Sequence, residues 1–277
     1  MIVFTDVDGT LYDYSGHLPQ SAVEAIRKMR KNGHKVFMVT GRSKAENKQE
    51  LWDIGFDGMI GGNGSYVEAD GKVIMHQTIS PEQCRHIVDW LKGRKLDFYE
   101  ECNDGLYASE HFVENVAEPL KNYMIGKGQI TEGTDDLQVD LVIHGLVEGQ
   151  ALYRDDVNKV SFTLRSYDDY LEAVKEFPDL NVGTWGGRDE RALFGDIGIR
   201  NVDKAKAIQL LLDHLGASRE DTFAIGDASV DIPMLEYCKV GIAVGSGSDE
   251  IKAVADYITD DVDQDGFYKA FRHFALF

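Results

Sequence analysis

The sequence predicts an α/β protein, a doubly wound parallel-sheet core with an α+β domain inserted into it. Three features lead there. Strand-like and helix-like runs alternate as βαβαβ between Ile2 and Gly62, and the alternation resumes from Lys204 to Ala255. Between these stretches, strand-like runs and helices are segregated rather than alternating. Alternation predicts a parallel sheet with helices on both faces, and segregation predicts an α+β unit.

Ile2 to Thr5 reads as a short buried strand ended by Asp8-Gly9. Val23, Ile26 and Met29 recur at helical spacing from Ser21 to Asn32, and Gly33 supplies a stop. Lys35 to Thr40 is a second strand, Lys44 to Ile54 a second helix and Gly58 to Gly62 a third strand. In the middle, Glu82 to Leu91 is helical, and Asp97–Glu100, Leu141–His144 and Lys159–Thr163 are strand-like. Another helix is expected near Asp168 to Phe177. The core pattern then returns as a helix (Lys204–Leu215), a strand (Thr222–Ile225), a short helix (Ile232–Tyr237), a strand (Val240–Val244) and a helix (Glu250–Ala255). The expected division is a discontinuous core of residues 1–80 and 199–277, with 81–198 inserted. No internal repeat or low-complexity segment is found.

Composition bounds the function. With 277 residues and 43% hydrophobic content the chain can bury a real core, and disorder is not indicated. The formal net charge of −19 gives no electrostatic footprint for nucleic acid or anionic membrane. Any anion site must therefore rest on a metal or a few placed basic residues. Cys84, Cys102 and Cys238 are odd in number and widely spaced, so neither a disulfide framework nor a zinc site is expected. The start of the chain shows no signal peptide and no run is long enough to span a bilayer, so a cytoplasmic location is expected, with no obligate protein partner.

Ligands of open parallel sheets bind at the carboxyl ends of the strands. Four polar clusters fall at such ends: Asp6-Val7-Asp8-Gly9-Thr10, Thr40-Gly41-Arg42, Gly226-Asp227 and Gly245-Ser246-Gly247. Lys204 opens a helix expected on the same side. Asp6 and Asp8 by themselves could be an acidic turn, Thr40 a strand-end residue and Lys204 a solvated lysine. Their joint occurrence in register argues for one shared site.

Asp6-Val7-Asp8-Gly9-Thr10-Leu11 resembles the first motif of the haloacid dehalogenase-like (HAD) superfamily. Thr40 resembles the second motif, Lys204 the third, and Gly226-Asp227-Ala228-Ser229-Val230-Asp231 the fourth. The long insert between the second and third motifs, together with Asn63-Gly64 and the stretch from Ala253 to Thr259, resembles the Cof-type subfamily with its α+β (C2B) cap. The resemblance covers essentially the whole chain. It implies a Rossmann-like core and a Mg²⁺-dependent phosphatase acting on small phosphate esters, with sugar phosphates the leading class.

By that resemblance Asp6 is the nucleophile, forming an aspartyl-phosphate, and Asp8 is the acid that protonates the leaving oxygen and then the base for water. Asp6, the Asp8 carbonyl and Asp227 are the oxygen ligands for Mg²⁺. Thr40, Gly41 and Lys204 hold the phosphate, with Lys204 as a point charge, and Asp231 supports Lys204 or a metal-bound water. One position departs. The fourth motif usually has Asn before its last Asp, and here Val230 can neither ligate nor donate, with Ser229 the candidate to cover part of the loss. A phosphomutase on the same scaffold would need a second basic phosphate site, which the insert does not show as a cluster. A non-catalytic phospho-ligand regulator is the third reading, favoured only by Val230.

Other features are read more simply. Asp261 to Gly266 begins like a calcium loop, but Arg272 stands at the final ligand position, so it is read as a solvated acidic loop. Gly245-Ser246-Gly247 lacks the third glycine of a dinucleotide fingerprint. The eight histidines are scattered. Arg188 and Arg191 are candidates to reach a substrate or simply line a linker.

Overall fold

A computed structural model of the protein describes residues 1–14, 16–126, 130–131, 139–185 and 192–277. In chain order the elements are β1 (Ile2–Thr5), α1 (Gln20–Lys31), β2 (Lys35–Val39), α2 (Gln49–Trp52), β3 (Gly58–Gly61), β4 (Tyr66–Ala69) and β5 (Lys72–His76). The middle of the chain forms α3 (Pro81–Arg94), β6 (Phe98–Cys102), β7 (Leu106–Ala108), α4 (Phe112–Gly126), α5 (Val139–Val142), β8 (Leu146–Glu148), β9 (Val157–Thr163), α6 (Tyr167–Glu176), β10 (Leu180–Trp185) and β11 (Phe194–Ile199). The last part forms α7 (Lys204–Leu215), β12 (Thr222–Gly226), α8 (Ile232–Tyr237), β13 (Val240–Ala243), α9 (Asp249–Val254), β14 (Tyr257–Ile258) and α10 (Gly266–His273). Two compact units result: Met1–Gly41, Asn47–His76 and Val202–Phe277 form the first, and Arg42–Glu46 and Gln77–Asn201 the second.

The first unit is built on one sheet of order β14-β13-β12-β1-β2-β3-β4-β5. The strands from β14 to β3 run parallel, and β4 and β5 add an antiparallel edge. Period-two alternation covers both faces. Val3, Val36 and Met38 point into a core with Ala22, Ile26 and Met29 of α1 and Phe267 and Phe271 of α10. Phe4, Phe37 and Val39 point into the opposite core with Ile208, Leu211 and Leu212 of α7 and Met234 and Leu235 of α8. Full burial of each such Leu or Ile contributes about 1.5–3 kcal/mol, so this apolar stripe of α7 anchors the helix that carries Lys204.

The second unit has a six-stranded sheet of order β10-β11-β9-β6-β7-β8. Phe98, Cys102, Val160 and Phe162 pack with Ile87, Val88 and Leu91 of α3 and Ala173 of α6 on one face. Tyr99, Leu106 and Phe194 pack with Phe112, Val116 and Leu120 of α4 on the other.

The structure corrects two expected elements and adds others. The helix expected over Lys44–Ile54 is a 3₁₀ turn at Lys44–Glu46 followed by the one-turn α2. Residues 42–46 join the second unit, where the Lys44 N–H donates to Asn103 Oδ1 at 3.0 Å and Asn158 Nδ2 donates to Ser43 Oγ at 2.8 Å. The segment is thus held by side chains far along the chain rather than by a continuing helix. The strand expected over Leu141–His144 is instead the end of α5 and the turn after it. A short apolar run does not distinguish helix from strand. Val139 and Ile143, four residues apart, are both buried against Phe112 and Val116, as a helical turn requires. The hairpin β4–β5 and the strands β7, β8, β10 and β11 carried no clear sequence signal. Within Asp261–Gly266, a 3₁₀ turn at Val262–Gln264 leads into α10.

Candidate active site

The carboxyl ends of β1, β2 and β12 and the first residue of α7 converge within the first unit. Asp6 directly follows β1, and its N–H donates to the Ile225 carbonyl at 3.0 Å, which fixes the end of β1 against β12. The chain then turns tightly, with the Gly9 N–H donating to the Tyr12 carbonyl at 2.8 Å. Gly9 has φ +83°, and a Cβ there would lie 2.3 Å from Asp227 Oδ2 and 2.7 Å from Tyr14 Oη. Both the left-handed backbone and the close approach require glycine.

Lys204 is the hub. Its Nζ lies 2.7 Å from Asp6 Oδ1 and 2.5 Å from Asp231 Oδ1, and donates to the Val39 carbonyl at 3.0 Å. These contacts join four chain-distant segments at a side chain that is 1% exposed. Asp203 caps α7 by accepting from the Lys206 N–H at 2.8 Å, which sets where the helix starts. Gly64, at φ +110°, lies so close that a Cβ there would sit 2.5 Å from the Asp203 carbonyl oxygen. The Asn63-Gly64 loop thus seats the helix start.

Asp231 is fully committed. Besides Lys204 it accepts from the N–H groups of Asp227 at 3.2 Å and Ala228 at 3.1 Å through Oδ2. It braces the lysine and the loop after β12. Asp6, Asp227 and Asp231 bring carboxylate oxygens within 4.8 Å of one another. Burial, then the charge of Asp231, pushes the Asp6 carboxyl well above its ordinary range against the pull of Lys204. Burial likewise pushes Asp227 up to about 6. Burial alone would lower the Lys204 ammonium, but Asp231 and Asp6 hold it above its ordinary value. Three buried carboxylates against one ammonium form a hard-oxygen site with excess negative charge, which fits a divalent cation such as Mg²⁺.

Asp8 is exposed beside this cluster, and a backbone bridge links it to Tyr12. Thr40 is buried at the end of β2, its N–H donating to the Ile60 carbonyl at 2.9 Å and its carbonyl accepting from the Asn63 N–H at 3.1 Å. Gly41 lies against Asn63, where a Cβ would be 3.1 Å from Oδ1. Two contacts to Asp227 were not anticipated. Thr10 Oγ1 donates to Oδ1 at 3.2 Å and the Tyr14 hydroxyl donates to Oδ2. Thr10 could have been suspected from its place in the first motif, whereas Tyr14 sits in a loop with no spacing signal. Ser229 and Val230 are both exposed. Arg188 and Arg191 lie outside the described residues.

A family profile described as haloacid dehalogenase-like hydrolase matches residues 3–271. The chain belongs to that family. It is a phosphatase-type hydrolase of the Cof-type branch. It is similar to the putative phosphatase YkrA of Bacillus subtilis, 26% identical over 275 residues covering 99% of this chain and 98% of YkrA. The 5-amino-6-(5-phospho-D-ribitylamino)uracil phosphatase YcsE of the same organism is 24% identical over 278 residues, covering 99% of this chain and 96% of YcsE. Among solved structures, the HAD subclass IIB sugar phosphatase BT4131 superposes with a TM-score of 0.76 at 25% identity, covering 100% of this chain and 99% of that one. A hypothetical protein from Geobacillus kaustophilus gives a TM-score of 0.83 at 24% identity over the same shares and supports the fold. Among the described residues no helix is long and apolar enough to cross a membrane.

Proposed function

We propose that the protein hydrolyses small phosphate monoesters, with sugar phosphates the leading class, through an aspartyl-phosphate on Asp6. The observation that carries the reading is the Lys204 hub, which ties Asp6 to Asp231 beside Asp227. The Asp6 carboxylate attacks phosphorus as the bond to the leaving oxygen breaks, and Asp8 gives that oxygen its proton. Asp8 then takes a proton from water as the water oxygen attacks phosphorus and the bond to Asp6 breaks. The exposure of Asp8 beside the buried Asp6 suits these different tasks. Lys204 balances charge on the transferring phosphoryl group, and the Thr40 hydroxyl and the backbone at Gly41 bind its oxygens.

Asp6, the Asp8 carbonyl and Asp227 would hold Mg²⁺. When bound, the ion supplies the positive charge that offsets the phosphate and keeps both carboxylates ionised. Two names among the relatives support the substrate class. One is a sugar phosphatase and the other a phosphatase of a phosphoribityl compound. The second unit is assigned to the α+β cap that the resemblance implies. The three cysteines are buried free thiols, which suits a reducing compartment, and we assign the activity to the cytoplasm.

A panel of phosphate esters assayed with Mg²⁺ and with chelator, beside Asp6→Asn, tests the reading. Phosphate release that needs both the metal and Asp6 is expected. Release that persists in the Asp6→Asn protein would refute it.

A further inference from the structure

The family resemblance departs at one position of the fourth motif. Where the fourth motif usually has asparagine, Val230 brings no polar atom and is 50% exposed. Asp227 is nevertheless held at both oxygens, Oδ1 by Thr10 and Oδ2 by the Tyr14 hydroxyl. Neither donor comes from the fourth motif, and both come from the loop after β1.

That loop is shaped to deliver the phenol. The N–H groups of Leu11 and Tyr12 both donate to the Val7 carbonyl, at 3.0 and 2.9 Å. A second closed turn carries Tyr14 itself. The Asp13 N–H donates to the His17 carbonyl at 3.0 Å, the Gly16 N–H to the Asp13 carbonyl at 3.0 Å, and the His17 N–H to Asp13 Oδ1 at 2.8 Å. Tyr14 is 48% exposed as a residue while its hydroxyl reaches inward over Gly9. A side chain kept mainly for packing would bury its ring. Here the polar tip is the part that is engaged.

We propose that Tyr14 is a positioning residue for the metal-binding carboxylate Asp227, taking the place of the polar side chain that Val230 lacks. This rests on the reading of Asp6 and Asp227 as Mg²⁺ ligands. Tyr14 does not ligate the ion. It fixes the rotation of the Asp227 carboxylate so that the ligating oxygen is presented in one orientation. Groups that orient a metal ligand in this way typically account for about 10–100-fold in affinity.

Calorimetric titration of the metal-free full chain with Mg²⁺ tests this without relying on turnover. Four proteins are compared: native, Tyr14→Phe, Val230→Asn and the double variant. Tyr14→Phe keeps the ring and removes only the donor. It is expected to bind Mg²⁺ about 10–100-fold more weakly while melting at the native temperature in chelator. Val230→Asn is expected to change affinity little alone and to restore it in the Tyr14→Phe background. Native affinity in Tyr14→Phe would overturn the proposal. Weakened binding that Val230→Asn does not rescue would overturn the substitution of one residue for the other. A native protein that takes up no Mg²⁺ would overturn the metal reading itself, a result distinct from both.

Discussion

Lys204 and Lys159 each meet buried carboxylates, one in each compact unit, and they do so in different ways. Lys159 lies 3.1 Å from Glu101 Oε2, directly across β9 and β6, where the two residues are register partners. Ser161, two residues further along β9, donates to Glu101 Oε1 at 2.5 Å. Strand pairing alone produces that contact, as it does any cross-strand pair. Lys204 instead joins Asp6, 198 positions away in sequence, to Asp231 and to the end of β2. No single pairing creates it, and the loops after β1 and β12 and the start of α7 must all be in place. The first arrangement holds a sheet together, and the second concentrates charge at the strand ends.

The largest expected effect falls on the strand-end cluster. Asp6→Asn should lower phosphate release by more than about 10⁴-fold with the melting temperature in chelator kept or raised, checked by initial rates and thermal unfolding. Lys204→Met should lower turnover by about 10²–10³-fold and, by leaving carboxylates buried without their cation, cost up to ~3–5 kcal/mol of stability. Lys159→Met should cost stability through the same physics, up to ~3–5 kcal/mol in urea unfolding. The exchange Glu101→Lys with Lys159→Glu should recover only part of that loss, because Asp196 and Glu46 also face Lys159 and Ser161 donates to Glu101. Exchanging Asp6 and Lys204 should recover no activity. A charge-reversed Asp6–Lys204 pair that still turned over would erase the contrast.

Glu100, another buried carboxyl of the second unit, has a different partner set. On the α3 face of β6, it accepts from the Cys84 thiol at 3.4 Å, and burial pushes its carboxyl up to about 8. The ordinary value is 4.5. Between these two pH values the folded protein keeps a proton that the unfolded chain has released. Stability therefore falls as pH rises through that window and levels off above about 8. Glu100→Gln should flatten the slope relative to the native protein, by at most ~1.4 kcal/mol per pH unit, in urea unfolding at a series of pH values. The smallest effect is expected at Thr40. Thr40→Val keeps the shape of the strand end and removes the hydroxyl proposed to bind phosphate, so kcat/KM should fall about tenfold.

Much of the first unit was legible because its strands are short apolar runs closed by Gly, Asp or Thr, and α1 and α7 carry apolar stripes at helical spacing. That Asp6, Lys204, Asp227 and Asp231 would meet was legible because the motifs carrying them stood at strand or helix ends in a fixed order. What escaped notice has physical causes. The hairpin β4–β5 lies at a sheet edge, and Lys72, Val73 and His76 of β5 are exposed, so alternation is blurred. The run at Leu141 is too short to separate helix from strand. Residues 42–46 look helical but bond to Asn103 and Asn158, far along the chain. Tyr14 gave no signal because its hydrogen bond to Asp227 spans 213 residues and depends on Gly9 leaving room.

The central claim is that Asp6 carries the phosphoryl group, and trapping that group tests it most directly. Protein mixed with a turned-over phosphate ester and Mg²⁺ is quenched in acid, and the acyl phosphate is reduced with borohydride. The peptide from Met1 to Arg27, which contains no other basic cleavage site, is then sequenced by mass spectrometry. The expected result is homoserine at position 6, in an amount that falls to background without Mg²⁺. Unmodified Asp6 in an actively hydrolysing sample, or the label at another residue, would contradict the account.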